Sequence, residues 1–358
     1  MTHRERVLST FRFQETDQTA VDLMEGFIWS PADQYFYDMY NFSNAQEIID
    51  HLDTDFRWIG LQAVDPNPPP QPSATQEESA PVIQTEQPAV PPPVIYSQAI
   101  SQGPLANAST VKEVESFPAL DPAWWQPADY AAARKQWPDH ALVLGHLWLP
   151  PVFWGTCEAF GMENALLHMH ADPKMFHAYA ARHHAAYMDI LSRCLPAARG
   201  HCDICWLGDD YASQKAMIMS PDLWRKHLKP YLAEQTAMAR ANDMFVIFHS
   251  CGSVRAIIPD LIDIGVNGLL VFQTTAQGMD PESIARDFGG KFVFYGGMDV
   301  QQLLSFSSPL DVQKEVQRNI KAFSKCGGYI VANSHHCVDT IKGENIEAMC
   351  RAAQGIRL

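Results

Sequence analysis

The segment FVIFHSCG at residues 245–252 points to the fold, because a short apolar run typical of a buried strand ends in polar side chains. The segment DICWLGDD at residues 203–210 likewise has a short apolar run that ends in polar side chains. Six further strand candidates accompany these two: Thr19–Met24, Asp55–Gly60, Ala141–His146, Gly268–Gln273, Phe292–Gly296 and Tyr329–Asn333. Longer stretches with helical periodicity separate them, and this alternation predicts a parallel sheet. Eight strands with intervening helices fit a single (β/α)8 TIM barrel, an α/β fold, better than a doubly wound sheet.

The helix candidates have recognisable starts. Asp172 is a predicted N-cap for a helix over Pro173–Leu195, and Ser220 is one for a helix over Pro221–Ala241. Further helices are predicted over Arg4–Phe11, Leu310–Ser324 and Asn345–Ala353. We therefore expect residues 1–358 to form one barrel.

One segment interrupts this pattern. Leu61–Gln102 is rich in Pro, Gln, Ser and Glu and contains no Lys or Arg. Such a composition cannot bury enough apolar surface to order itself, so residues 61–102 are interpreted as a flexible insertion within the barrel. A docking site for a proline-binding module is the alternative interpretation.

Composition excludes several classes of protein. The 358 residues include 26 Lys and Arg against 41 Asp and Glu, which gives a formal net charge of −15. A chain this acidic, without a long basic run, is a poor candidate for binding nucleic acid or an anionic membrane. No apolar run approaches the length of about 18 residues that spans a bilayer. Eight scattered cysteines do not form a disulfide framework, so a cytoplasmic location is expected.

A barrel of this type carries its chemistry at the carboxyl ends of its strands. Nearly every predicted strand finishes in a polar or metal-capable residue, so the sequence predicts a polar pocket at one mouth of the barrel. The residues expected there to contact a substrate are Glu25, His146, Tyr211, Gln273 and Asp299.

Among the residues at these strand ends, His249 and Cys251 are the strongest candidates for metal ligands. Residues i and i+2 of an extended segment point the same way, and imidazole and thiolate are both good zinc ligands. A third ligand must come from another strand end, where the expected geometry favours His335, with Cys337 and His336 as substitutes. The competing interpretation is a hydrogen-bonded histidine beside a packed thiol.

Carboxylates follow two of the strands. Asp209 and Asp210 could ligate a metal, orient a ligand, or act with His335 as catalytic acid and base groups. A capping role at a helix N-terminus is the alternative. Asp299 follows Gly296-Gly297, where the backbone can approach a ligand closely, but a tight turn with a capping Asp fits the sequence equally well.

These strand-end motifs resemble the uroporphyrinogen decarboxylase superfamily, which also contains zinc-dependent methyltransferases that act on corrinoid-bound methyl groups. The matching stretches lie at residues 161–164, 208–214, 249–253, 296–301, 328–335 and 344–345, together with the opening helix. The resemblance implies a (β/α)8 barrel and often a homodimer.

Two branches of the superfamily give different expectations. True decarboxylases share an arginine-bearing loop after strand one that binds the carboxylates of the tetrapyrrole, whereas this chain has no Lys or Arg from Phe13 to Phe56. The methyltransferase branch is more similar at His249 and Cys251. Its third zinc ligand is usually a Cys after strand eight, where this chain has His335, with Cys337 two residues on. The branch implies a zinc cofactor and a corrinoid carried by a partner protein.

Three functions follow from these observations. The first is a zinc-dependent methyltransferase that moves a methyl group between a corrinoid (cobalamin) protein and a thiol or similar acceptor. The second is a lyase resembling uroporphyrinogen decarboxylase that acts on a tetrapyrrole or a small carboxylate without metal. The third is a non-catalytic barrel that binds a ligand.

Overall fold

The computed structural model describes residues 1–24, 32–63, 103–118, 120–145, 151–337 and 339–355. Within them, eight parallel strands form one sheet. In chain order these strands are β1 (Ala20–Val21), β2 (Phe56–Ile59), β3 (Ala141–Leu144), β4 (Ile204–Gly208), β5 (Phe245–His249), β6 (Gly268–Phe272), β7 (Val293–Met298) and β8 (Tyr329–Asn333).

The sheet closes into a barrel. Its order is β1-β8-β7-β6-β5-β4-β3-β2, so β1 and β2 are its two edges. Asp55 joins these edges, because its backbone N–H donates to the Val21 carbonyl at 2.9 Å and its carboxylate accepts the Val21 N–H at 2.8 Å. The eight parallel strands with their surrounding helices confirm the predicted (β/α)8 TIM barrel.

Helices cover the outside of the sheet. In chain order they are α1 (His3–Phe11), α2 (Ala32–Tyr40), α3 (Ala45–Leu52), α4 (Val111–Ser116), α5 (Tyr130–Gln136), α6 (Val152–Phe160), α7 (Met162–Ala171), α8 (Pro173–Ala198), α9 (Pro221–His227), α10 (Lys229–Ala241), α11 (Ile258–Asp263), α12 (Pro281–Phe288), α13 (Leu303–Phe306), α14 (Pro309–Phe323) and α15 (Gly343–Ala353). Short 3₁₀ turns occur at Pro122–Trp124 and Arg255–Ile257.

Both predicted helix starts are confirmed, while one predicted helix is corrected. Asp172 and Ser220 stand at the N-cap positions of α8 and α9; the Ser220 side chain accepts the Leu223 N–H, whereas the Asp172 side chain makes no capping hydrogen bond. The helix predicted over residues 221–241 is two helices, α9 and α10, that meet at Leu228. Pro230 lacks an N–H and so interrupts the helical hydrogen-bond ladder at this point.

Strand bounds differ from the predictions mainly at the first and seventh strands. β1 ends at Val21, before the predicted Met24, whose N–H donates to the side chain of Asn333. β7 continues to Met298, because Gly297 and Met298 still pair with β8. A short antiparallel pair, Gln62–Ala63 with Trp125–Gln126, was not predicted.

Some predictions cannot be compared with the structure. Glu25, His146 and residues 64–102 of the insertion lie outside the described residues. In the part of the chain that the structure describes, no helix combines the length and the apolar character needed to cross a membrane.

Aromatic side chains fill the inside of the barrel below its carboxyl mouth. The rings of Phe56 and Tyr295 lie 5.2 Å apart although β2 and β7 are not neighbours, so both rings point inward. Trp206 lies edge-to-face against His249 at 5.8 Å. We call the rings of Phe56, Tyr295 and Trp206 the aromatic floor, since they lie beneath the strand ends.

Candidate metal centre

Three side chains with different ligand atoms meet where β4 and β5 end. Nε2 of His249 lies 3.8 Å from Sγ of Cys251 and 3.7 Å from Oδ1 of Asp210. All three ligand atoms lie within 4.8 Å of one another, and no other group of three or more His, Cys, Asp or Glu residues in the described part of the chain meets this condition.

The spacing of the three atoms fits a metal ion. In a tetrahedral zinc site with ordinary bond lengths, neighbouring N, O and S ligands are about 3.4–3.6 Å apart, close to the distances found here. Nδ1 of His249 is buried and has no hydrogen-bond partner among the described residues. Since Nε2 is the nitrogen that faces Cys251 and Asp210, Nδ1 is the nitrogen that would carry the ring proton when a metal is bound. The donor set of imidazole, thiolate and carboxylate is therefore a fitting zinc site, with a further position left for a substrate.

The backbone fixes the relative positions of these ligands. The Cys251 N–H donates to Oδ1 of Asp210 at 2.7 Å, and Oγ of Ser250 accepts the Tyr211 N–H at 3.1 Å. Gly252 has a φ of +79°, and a Cβ there would lie 2.4 Å from the Ser213 carbonyl oxygen. The turn after β5 therefore packs directly on the loop after β4 and depends on glycine at this position.

His335 lies next to this cluster but outside the group of three. Its ring centroid is 6.3 Å from that of His249 and 3.9 Å from that of His336. Burial lowers the pKa of His335 to about 4, with the neighbouring His249 acting in the same direction, so its imidazole is neutral near pH 7. Within the described residues the structure brings Asp210, rather than His335, His336 or Cys337, into ligand range of His249 and Cys251. The predicted strand-eight ligand thus remains a prediction.

Asp209, unlike the adjacent Asp210, caps a helix. Its carboxylate accepts the N–H groups of Phe153 and Trp154, at 2.7 and 3.1 Å, in the first turn of α6. Burial raises the pKa of Asp209 to about 8, while these two N–H donors and the Tyr211 hydroxyl act in the opposite direction. The capping alternative for the paired carboxylates therefore holds for Asp209, although the capped helix precedes β4.

The structure describes three of the residues predicted to bind substrate, and each of them already contacts other residues of the protein. Tyr211 is buried and its ring stacks on Phe248 at 5.6 Å. Oε1 of Gln273 accepts the Gly252 N–H at 2.8 Å and the Gln214 amide at 2.6 Å. The Asp299 carboxylate accepts two backbone N–H groups in the turn before α13, as the capping alternative predicted. All three border the mouth, and their present contacts support the loops around it.

Asp22 is a polar residue of the barrel interior that the strand-end argument missed. It is fully buried after β1 and accepts hydrogen bonds from the Tyr295 hydroxyl and, at 2.8 Å, from the Trp58 indole N–H. Burial raises the pKa of Asp22 to about 7, against the effect of these donors. A single acid inside an apolar strand candidate is the sequence signal that could have revealed it.

Comparisons with known proteins agree with this architecture. The model of the uroporphyrinogen decarboxylase (URO-D) family matches residues 156–356, which span β4 to β8 and every residue of the metal cluster. No curated protein matches the sequence significantly.

Among solved structures, a methyltransferase from Methanosarcina mazei superposes with a TM-score of 0.59 and 14% sequence identity, covering 99% of both chains. At 14% identity, the similarity between the two chains shows a shared fold. A D-psicose 3-epimerase in the presence of D-fructose gives a TM-score of 0.41 and 10% identity, covering 94% of this chain and 96% of that one. A D-psicose 3-epimerase from Clostridium cellulolyticum H10 gives 0.37 and 14%, covering 68% and 89%.

Proposed function

The chain belongs to the uroporphyrinogen decarboxylase family, and we propose that within this family it is a zinc-dependent methyltransferase. The reaction would move a methyl group between a corrinoid protein and a thiol or similar acceptor. The observation that carries the proposal is the meeting of Asp210, His249 and Cys251, with ligand atoms within 4.8 Å of one another, at the carboxyl mouth where such barrels carry their chemistry.

These three residues would hold the zinc, with His335 beside them on the side of β8. When bound, zinc would keep a coordinated thiol deprotonated at neutral pH. In the overall reaction a carbon–sulfur bond forms as the carbon–cobalt bond breaks, the electron pair of that bond stays on cobalt, and the thiol proton is released. The aromatic floor of Trp206, Phe56 and Tyr295 would exclude water from below the reacting sulfur.

Two further observations favour methyl transfer over tetrapyrrole decarboxylation. The chain offers no Lys or Arg between Phe13 and Phe56 to bind the carboxylates of a tetrapyrrole. The M. mazei protein that shares the fold over its full length is itself a methyltransferase. The family resemblance also favours a homodimer, which sedimentation of the purified protein would measure.

Metal analysis of the purified protein tests the proposal. We expect about one zinc per chain in the wild type and loss of zinc in the His249→Ala and Cys251→Ser variants. Cys326→Ser is the matched control, since Cys326 is also a half-buried cysteine outside any disulfide but precedes β8. With zinc bound, the protein should demethylate methylcobalamin in the presence of a thiol, and the two site variants should not.

Two results would contradict the proposal. One is wild-type protein that contains no zinc after purification without chelator and takes up none on addition. The other is zinc that remains bound in both site variants. Turnover of a tetrapyrrole or a small carboxylate that survives chelation would instead favour the lyase.

A further inference from the structure

Gln273 lies where the loops after four strands meet. It directly follows β6 and is only 8% exposed. Its Oε1 accepts the backbone N–H of Gly252, in the loop after β5, at 2.8 Å and the side-chain amide of Gln214, in the loop after β4, at 2.6 Å. Its Nε2 donates to the carbonyl of Ser334, in the loop after β8, at 3.5 Å. A single buried amide therefore joins the loop after β6 to three others.

Two of these contacts lie beside candidate metal ligands. Gly252 directly follows Cys251, and Ser334 directly precedes His335. Because consecutive Cα atoms are only about 3.8 Å apart, a displacement of Gly252 moves the backbone of Cys251 with it. The bond from Gly252 to Gln273 thus acts on the position of the Cys251 thiol without any contact with the metal itself.

Backbone hydrogen bonds hold the same loops together. The Gln277 N–H donates to the Gln214 carbonyl at 2.9 Å, and the Ser253 N–H donates to the Ser213 carbonyl at 2.9 Å. The loop after β4, which carries Asp210, is therefore packed against the loops after β5 and β6. The buried amide adds a side-chain bond to each of the loops after β4 and β5.

The partners fix the orientation of the amide. A backbone N–H can only donate and a carbonyl can only accept, so Oε1 faces Gly252 and Nε2 faces Ser334. Both ends of the amide are therefore used within the protein. The bonds to Oε1 are also the shorter ones, at 2.6 and 2.8 Å against 3.5 Å at Nε2, so the oxygen atom makes the stronger contacts.

We propose that Gln273 is a positioning residue of the metal centre. Its Oε1 atom holds the Gly252 N–H and thereby keeps the thiol of Cys251 within range of the other two ligands. This role differs from the substrate contact that the sequence predicts for Gln273. The inference rests on the proposed zinc site and adds a residue on which zinc affinity depends, although that residue does not touch the metal.

Three variants of Gln273 separate the length of the side chain from its polar atoms. Gln273→Met has a similar length and lacks both polar ends. Gln273→Asn keeps the amide but is one methylene shorter, so its oxygen atom no longer reaches the Gly252 N–H. Gln273→Glu keeps the length and offers oxygen acceptors to both the Gly252 N–H and the Gln214 amide.

Zinc affinity is measured by competition with a chromophoric chelator, and the geometry of the centre by the absorbance bands of the cobalt-substituted protein. We expect Gln273→Met and Gln273→Asn to bind zinc about tenfold more weakly than the wild type and to shift or weaken the cobalt bands. Gln273→Glu should bind zinc more tightly than either and keep the wild-type bands, because its carboxylate replaces Oε1 as acceptor. A residue that only supports the fold would change stability and leave the cobalt bands unchanged.

Asn267→Leu is the matched control. Asn267 directly precedes β6, and its Oδ1 accepts the N–H of Val246, in β5, at 2.8 Å. It therefore makes the same kind of bond as Gln273, at the opposite end of β6 from the metal centre. Urea unfolding should show a loss of stability in Asn267→Leu, while its zinc affinity and cobalt bands should match those of the wild type.

The outcomes separate this inference from the function on which it rests. Wild-type zinc affinity and cobalt bands in Gln273→Asn and in Gln273→Met would overturn the positioning role alone, and Gln273→Asn decides if Gln273→Met does not fold. An equal loss of zinc affinity in Asn267→Leu would also overturn it, because the effect would then follow from lost stability. Failure of the wild type to bind zinc or cobalt overturns the proposed metal site and this inference with it.

Discussion

The backbone N–H of Cys251 donates to Oδ1 of Asp210 at 2.7 Å, and this bond joins two candidate metal ligands that come from neighbouring strands. The same oxygen atom lies 3.7 Å from Nε2 of His249. A metal ligand that is itself hydrogen-bonded keeps its orientation, and such support commonly changes metal affinity by a factor of about 10 to 100. The position of Asp210 is therefore set by the protein before any metal binds.

Asp210→Asn should weaken zinc binding by about tenfold or more, because the variant replaces an anionic ligand by a neutral amide. Asp209→Asn is the matched change at the adjacent residue. It should leave zinc affinity nearly unchanged and should not lower the free energy of unfolding near pH 7, because burial already favours an uncharged side chain at this position. Competition with a chromophoric chelator measures affinity, and urea unfolding measures stability. Equal zinc affinities in the two variants would remove Asp210 from the ligand set.

Gly252→Ala should disturb the metal centre more than the fold. An added Cβ would lie 2.4 Å from the Ser213 carbonyl oxygen and would push apart the loops that carry Asp210 and Cys251. Gly200 has a similar φ of +77°, but a Cβ there would meet nothing within 4 Å. Gly200→Ala should therefore cost only the backbone strain of about 1 kcal/mol and leave zinc affinity intact. A Gly252→Ala protein that binds zinc like the wild type would show that the loop contact does not position the ligands.

Much of this barrel could be predicted from the sequence, since parallel buried strands are nearly continuous apolar runs. β5 and β8 have the bounds predicted from their apolar runs, Phe245–His249 and Tyr329–Asn333, because each is a compact run that ends in a polar residue. Strand ends whose positions depend on residues far away in the sequence could not be predicted. β7 extends through Gly297 and Met298 only because β8 pairs with them. β1 is short because a side chain, the Asp55 carboxylate, accepts the Val21 N–H in place of a strand carbonyl.

The candidate site likewise has features that could be predicted from the sequence and features that could not. His249 and Cys251 share an extended segment, so their proximity follows from local geometry. The separate roles of Asp209 and Asp210 do not, because they depend on α6 approaching one carboxylate and the turn after β5 approaching the other. The distance of His335 from the other two likewise depends on how the barrel closes, which no pattern in one sequence reveals.

Asp55→Ala should destabilise the barrel by about 3 kcal/mol, because it leaves the Val21 N–H without its acceptor and Arg6 without its buried partner. Asp17 also pairs with Arg6, but its side chain is 41% exposed whereas that of Asp55 is 0% exposed. Asp17→Ala should therefore cost about 1 kcal/mol or less. Urea unfolding of both variants checks the difference. Similar losses would mean that Asp55 does not close the sheet.

The stability of the contact between α2 and α15 should depend on pH through Glu347. This buried carboxylate accepts hydrogen bonds from Tyr35 at 2.9 Å and Tyr40 at 2.7 Å, and it pairs with His51 and Arg351. Burial by itself would raise the pKa of Glu347, but these partners outweigh it and lower the pKa to about 2. Its stabilising contribution is therefore complete above the unfolded pKa near 4.5 and is lost as the pH falls towards 2.

Glu347→Gln should accordingly be less stable than the wild type by about 2 kcal/mol at pH 6, and the difference should shrink at pH 3. Glu344→Gln is the control on the same helix, because Glu344 is exposed and should change stability little at either pH. Urea unfolding at the two pH values measures all three proteins. A difference between the wild type and Glu347→Gln that stays constant from pH 6 to pH 3 would show that the ionised carboxylate does not hold α2 against α15.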